Sequence, residues 1–199
     1  MTKLIKLCMA MLLATSFLSA SNEAKEVAMR EYQAKLERKI TNIAYNPINE
    51  TITILLNDGT QWGCYYRFIS DRQRVLERWQ VGQMTWILPA RSNNVTFHLW
   101  SYSNAASSGV ELLAFLDPNT SQLLPIIVEK TAEGHLLLSD GSEWRDNSWI
   151  VPVASYWNVG ERIVISKMGE TFRLMNIDQG EGLFLNTGYM FAILVDVHR

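Results

Sequence analysis

Three histidines, one cysteine and a recurring aspartate are the side chains of this chain that could do chemistry. His98, His135 and His198 are its only histidines. An imidazole serves as a general base or a metal ligand. None of the three stands at ligand spacing from another histidine, a cysteine or a carboxylate pair, so surface or rim positions are expected. Cys64 is the only cysteine outside the N-terminal leader, which takes Cys8 with it. A thiolate nucleophile needs a nearby base, and no pattern around Cys64 supplies one. The residue reads instead as a small buried side chain beside Trp62, with an intermolecular bridge as the alternative. Asp58 and Asp140 recur at equivalent places and could be paired acids. Each, however, precedes a glycine, where an aspartate bonds its own turn backbone.

The aromatic and basic residues offer binding rather than reaction. Trp62, Trp79, Trp144 and Trp157 recur, while Trp86, Trp100 and Trp149 do not. Exposed indoles stack on sugar rings or bases. Recurring ones are read as core, because each buries a large apolar area with one N–H to satisfy. Trp149, in a segment that does not repeat, is the candidate for an exposed binding role. Arg67, Arg72, Arg74 and Arg78 form the one basic cluster, diluted by Asp71 and Glu77. It reads as a solvated helix face or as a site for an acidic partner.

These residues are carried by a sequence written twice. Leu55-Leu56-Asn57-Asp58-Gly59-Thr60-Gln61-Trp62 returns as Leu137-Leu138-Ser139-Asp140-Gly141-Ser142-Glu143-Trp144. Trp79-Gln80-Val81-Gly82-Gln83 returns as Trp157-Asn158-Val159-Gly160-Glu161, and Thr96-Phe97-His98-Leu99 as Thr171-Phe172-Arg173-Leu174. The offsets fall from 82 to 78 to 75 residues. Three blocks in one order, drifting slowly, imply two tandem copies of one small unit. The histidines do not repeat: His98 aligns with Arg173 and His135 with Thr53. That argues against a duplicated catalytic or metal site, and no cofactor is expected.

The elements that must position these residues are mostly strands. Thr51 to Leu56 is β-branched and partly alternating, and Asp58-Gly59 then supplies a hairpin turn. The second copy repeats the pattern around Asp140-Gly141. About five short strands per copy predict a mainly β chain, a tandem of two small β-barrel-like or bent-sheet domains. Residues 41–118 form the first repeat and 119–199 the second, with Asp117-Pro118-Asn119 as a turn-prone linker. Residues 71–78 read as a short helix in copy one, and 147–153 as extended chain in copy two. Ahead of the repeats, residues 21–40 predict one amphipathic helix of about 18 residues with Ala28, Tyr32, Leu36 and Ile40 on a narrow stripe. It would dock on the first domain or serve a partner.

Residues 1–20 have the layout of a secretory signal peptide: Lys3 and Lys6, an apolar run from Leu7 to Phe17, then Leu18-Ser19-Ala20. The run falls short of the ~20 residues that span a bilayer, and no later segment is long and apolar enough. An exported chain with no stable transmembrane segment after cleavage is expected, in the periplasm or the secreted fraction. Net charge is −2, and loss of the two leader lysines takes it to −4. Neither value fits a nucleic-acid binder.

The element Leu-x-Asp-Gly-Ser-x-Trp followed by Trp-x-x-Gly-(Asp/Glu)-x-Ile-x-Ile resembles one found in small secreted proteins of Gram-negative bacteria. The resemblance covers most of residues 50–199. Copy two fits it better, since copy one has Gln83 where the pattern has an acid. It implies an address and a β class, and no catalytic residues. Two functions are compatible with the sequence. The favoured one is an exported, non-enzymatic binding or structural protein whose partner is an envelope component or another protein. The alternative is an envelope hydrolase using copy-specific residues such as His98, Cys64 or an acid between the repeats.

Overall fold

The computed structural model describes residues 21–65, 77–89, 97–101, 110–147, 152–179 and 188–198. The expected signal peptide lies outside them. One helix, α1 (residues 21–35), precedes twelve strands. The first six are β1 (Ile40–Asn46), β2 (Thr51–Leu56), β3 (Gln61–Tyr65), β4 (Thr85–Pro89), β5 (Phe97–Ser101) and β6 (Val110–Leu116). The second six are β7 (Ile127–Lys130), β8 (Leu136–Leu138), β9 (Ser142–Asp146), β10 (Ile163–Met168), β11 (Thr171–Asn176) and β12 (Tyr189–Val197). Among the described residues each copy of the repeat therefore has six strands rather than about five.

The two sheets have one topology. The first runs β1-β2-β3-β6-β5-β4, and the second, read from its β7 edge, runs β7-β8-β9-β12-β11-β10. Every strand pair is antiparallel. In each sheet the last three strands form a meander, and the third strand lies beside the sixth, which is a Greek key. The edges of each sheet also meet. Lys39 bridges Met84 between β1 and β4, and Ile126 bridges Arg162 between β7 and β10. Matched backbone bonds fasten these closures. Ile40 N donates to Gln83 O (3.0 Å) and Gly82 N to Ile40 O (2.7 Å). In the second sheet Ile127 N donates to Glu161 O (3.0 Å) and Gly160 N to Ile127 O (2.8 Å). Pairing at each of these corners covers the ends of the two edge strands, whose exposed backbone otherwise invites pairing with other chains.

Alternation decides what faces inward. Along β2, Ile52, Ile54 and Leu56 are buried while Thr51, Thr53 and Leu55 are not. The first core gathers Ile52, Ile54, Trp62, Cys64, Ile87, Phe97 and Leu99; the second gathers Ile127, Leu136, Trp144, Ile163, Phe172 and Leu174. The barrels also pack on each other. Val164 and Met175 of the second belong to the buried cluster of the first, and Ile87 N donates to Ser166 Oγ at 3.2 Å.

The helix departs from expectation in two ways. It ends by residue 36, not 40, its last turn tightened by the Glu37 N to Ala34 O bond. Ile40 cannot continue it, because both its backbone groups close the first barrel. And α1 docks on the second barrel, not the first. Leu36 lies in the second core, with Met29 and Tyr32 packed against it. Lys25 pairs with Asp196 at 2.7 Å and Lys167 with Glu37 at 3.2 Å. The apolar stripe of α1 finds its cover about a hundred residues downstream.

Residues 153–156 form a 3₁₀ turn that leads into Trp157, so Val153, expected at the end of the extended run 147–153, is helical instead. In copy one, residues 77–78 are helical and lead into Trp79. The rest of the helix expected at 71–78 lies outside the described residues. Both copies thus enter their second recurring tryptophan from a helical turn.

Candidate functional site

Each recurring aspartate is the base of a hydrogen-bond relay. Asp58 Oδ1 accepts from Thr60 N (3.0 Å) and Thr60 Oγ1 (2.7 Å), and Thr60 Oγ1 accepts from Trp62 Nε1 (3.0 Å). Asp140 Oδ1 accepts from Ser142 N (3.1 Å) and Ser142 Oγ (2.6 Å), and Ser142 Oγ accepts from Trp144 Nε1 (2.7 Å). The motif Asp-Gly-(Thr/Ser)-x-Trp is therefore one device. The turn carboxylate orients a hydroxyl, and the hydroxyl satisfies an indole that is fully buried in each core, where an unpaired N–H would be costly. Glycine is needed between them because Gly59 and Gly141 both sit at φ +84°. Each indole then meets the next block of the repeat. Trp62 packs edge-on against Phe97 and Trp144 against Phe172, both with centroids 5.2 Å apart.

The second recurring block is a further structural device. Gln83 Oε1 accepts from Gln80 N (3.0 Å) and Ser101 Oγ (2.6 Å). Glu161 Oε2 accepts from Asn158 N (2.7 Å) and from Asn176 Nδ2. Both side chains cap the turn after the tryptophan and tie it to the fifth strand of their barrel. An acceptor oxygen suffices for that, so glutamine serves where the resemblance has an acid. Trp79 and Trp157 are buried beneath these turns.

The outer oxygens of the two aspartates are read by the N-terminal segment. Tyr32 Oη donates to Asp140 Oδ2 at 2.6 Å. Burial first, then the Asp140 charge, push the Tyr32 hydroxyl upward, so it stays a donor. Arg38 Nε lies 3.0 Å from Asp58 Oδ2 in an ion pair whose N–H is not aligned on the oxygen.

Cys64 faces the first core and is fully buried. Burial pushes its thiol up to about 12, the reverse of what a nucleophile needs. Its register partner Ala114 also pairs with Phe97. Cys64 and Phe97 thus share the inner face, and His98, the next residue, points the other way. The structure does not bring the cysteine and this histidine together.

It does bring together two histidines that sequence spacing kept apart. His135 Nδ1 lies 2.7 Å from Glu143 Oε1, and His198 Nε2 lies 3.0 Å from Glu143 Oε2. The hydrogen bond to His135 first, then that to His198, hold the Glu143 carboxyl below its ordinary range against burial. Glu143 is the residue between Ser142 and Trp144 in the recurring motif, and Gln61 takes its place in copy one. The nearest hydroxyl in sequence, Ser142, is engaged in the relay. Among the described residues no group of three or more histidine, cysteine or acidic side chains could hold a metal ion.

Of the basic cluster, Arg67, Arg72 and Arg74 lie outside the described residues, as does Trp149. Arg78 is exposed, and its carbonyl accepts from Gln83 Nε2 at 2.9 Å. A surface that the sequence did not single out lies on the outer face of β9, β12 and β11. Arg173 pairs in register with Phe191, and Arg145 with Ile193. The Arg173 guanidinium lies over the Phe191 ring at 4.7 Å. Phe191 and Ile193 keep 41% and 37% of their surface exposed. Among the described residues neither arginine has an acidic partner, whereas Arg162 is forked onto Asp178 and Arg38 meets Asp58. The face continues from the inter-barrel contact, since Tyr189, on β12 with Phe191, packs against the first core. Alternation of exposed apolar positions along β12 was the available signal.

No protein-family model, curated protein or solved structure matches this chain. No described helix is long and apolar enough to cross a membrane.

Proposed function

We propose that this chain is an exported, non-enzymatic binding or structural protein, whose paired β modules present a surface to an envelope component or a protein partner. The observation that carries this reading is how the recurring polar residues are used. Asp58, Thr60, Gln83, Asp140, Ser142 and Glu161 are all engaged inside their own barrels. Among the described residues, Arg145 and Arg173 have no acidic partner and stand beside the exposed Phe191 and Ile193. Arginine and aromatic side chains are enriched where proteins recognise partners. The secretory layout of residues 1–20 supports the address.

The test is a pull-down of mature tagged protein from its own cell envelope, with Arg145→Glu/Arg173→Glu in parallel. The wild type should retain a saturable component, and the variant should retain less, most visibly at low salt, where exposed charges are least screened. Equal retention by both proteins removes this face from the reading. A component chemically turned over by the wild type would replace the reading with an enzymatic one.

A further inference from the structure

One corner of the second barrel fastens the C-terminal end of β12 and α1 together. His198 N donates to Gly141 O at 2.8 Å. The approach is so close that a Cβ on Gly141 would meet His198 O at 2.2 Å. Just beyond this turn, Glu143 is gripped from both sides, Oε1 by His135 and Oε2 by His198. The register partner of Glu143 is Asp196, which binds Lys25 of α1. The groups facing the corner are His135 ahead of β8, Glu143 and then Arg145 on β9, and Asp196 and His198 at the end of β12. Asp140 in the turn, with Lys25 and Tyr32 from α1, completes the set.

Charge at this corner depends on the two imidazoles. Histidine changes its charge between about pH 5 and 8, a range over which Glu143 and Asp196 remain ionised. With neutral imidazoles, two carboxylates face each other in register across a strand pair, and Lys25 is paired with Asp196. Like charges directly opposite are destabilising. With both imidazoles protonated, each contact on the ionised Glu143 gains a cationic donor and becomes an ion pair, with both ring nitrogens obligatory donors.

We propose that His135, Glu143 and His198 form a proton-operated clasp, which mild acidification tightens and which thereby fixes the C-terminal end of β12 to the Asp140–Gly141 turn. The three residues come from three separate elements, so the clasp crosses the barrel end instead of stiffening one hairpin. It is absent from the first barrel, where Gln61 replaces Glu143 and Thr53 aligns with His135. The device therefore belongs to the copy that also holds α1.

The test is amide exchange on the full chain at about pH 5.5 and about pH 7.5, with protection factors corrected for intrinsic exchange. Protection of the His198 amide should rise on the order of tenfold at the lower pH, the stake of a half-buried bond to a carboxylate gaining a cationic donor. Glu143→Gln should abolish the rise while protection of the Leu174 amide, deep in the same barrel, stays unchanged. His135→Gln, which keeps the carboxylate, should reduce it. Equal protection at both pH values in the wild type, or a full rise surviving in either variant, overturns the clasp.

Discussion

Leu36 precedes the first barrel and is buried in the core of the second, while Leu124 precedes the second and is buried in the core of the first. Each lead-in segment thus plugs the barrel it does not enter. Both plugs lie near an Asp-Gly turn: Tyr32, one helical turn before Leu36, bonds Asp140, and Leu123, beside Leu124, lies against Gly59. The exchange makes the two barrels depend on each other for cover. Small β units of this size bury a smaller fraction of their surface alone than larger domains do, and are correspondingly marginal.

That relationship predicts where a helix mutation is felt. Leu36→Ala should cost about 2–4 kcal/mol, the usual penalty for a large-to-small core change. The loss should appear in the second barrel. Exchange of Leu136 and Leu174 amides should speed up more than that of Ile54 and Leu99. Equal effects in both barrels would show the plugs to be interchangeable cover.

The relays predict an asymmetry between two equivalent aspartates. Asp140→Asn should change stability by less than ~1 kcal/mol, because asparagine suits the same turn and its amide can still meet the Tyr32 hydroxyl. Asp58→Asn should cost more, about 2–4 kcal/mol, because it leaves the buried Arg38 without its counter-charge. Urea unfolding of the two variants measures the difference directly.

The hydroxyl in each relay can be tested by removal. Ser142→Ala and Thr60→Ala should each cost ~1–3 kcal/mol by stranding a buried indole N–H. Ser142→Thr and Thr60→Ser should be far milder, since each barrel already uses the other's hydroxyl. Thermal unfolding of the four variants decides whether the hydroxyl or the side-chain volume matters.

Acid stability follows from three carboxyls. The His135 bond lowers Glu143, and the Arg162 fork lowers Asp178. Burial pulls Asp196 upward, but the Lys25 bond, the Val197 N–H and the Lys25 and His198 charges together hold it below its ordinary range. A depressed folded-state value means stability that is present above the unfolded value and lost as pH falls through the folded one. Unfolding free energy should therefore drop as pH falls below about 4. Asp178→Asn should make that drop shallower in pH-dependent urea titrations. An unaltered slope would remove the fork as a contributor.

Cys64 should be unreactive in the folded chain. With its thiol buried and pushed up to about 12, a thiol-specific reagent at neutral pH should label it only as fast as the first barrel opens. Labelling at the rate of an exposed cysteine would contradict its burial.

What the sequence determined by itself is the local chemistry of the repeat. Asp, Gly, a hydroxyl and Trp lie within five residues, so turn, relay and buried indole are settled at short range. The same holds for the turn closed by Gln83 or Glu161, and for the β2 alternation that points Ile52, Ile54 and Leu56 inward. The two-copy, mainly β organisation was legible for that reason. Tertiary structure alone decided which surfaces meet. The stripe of α1 showed one apolar face but not its cover, which is the second barrel, because apolar burial is non-directional and carries no address in sequence. Glu143 meets His135 and His198 across separations of 8 and 55 residues, on three elements aligned by strand register and barrel closure. Arg145 and Arg173 share a face for the same reason: β12 runs between their strands, and which strands adjoin is a property of the closed sheet.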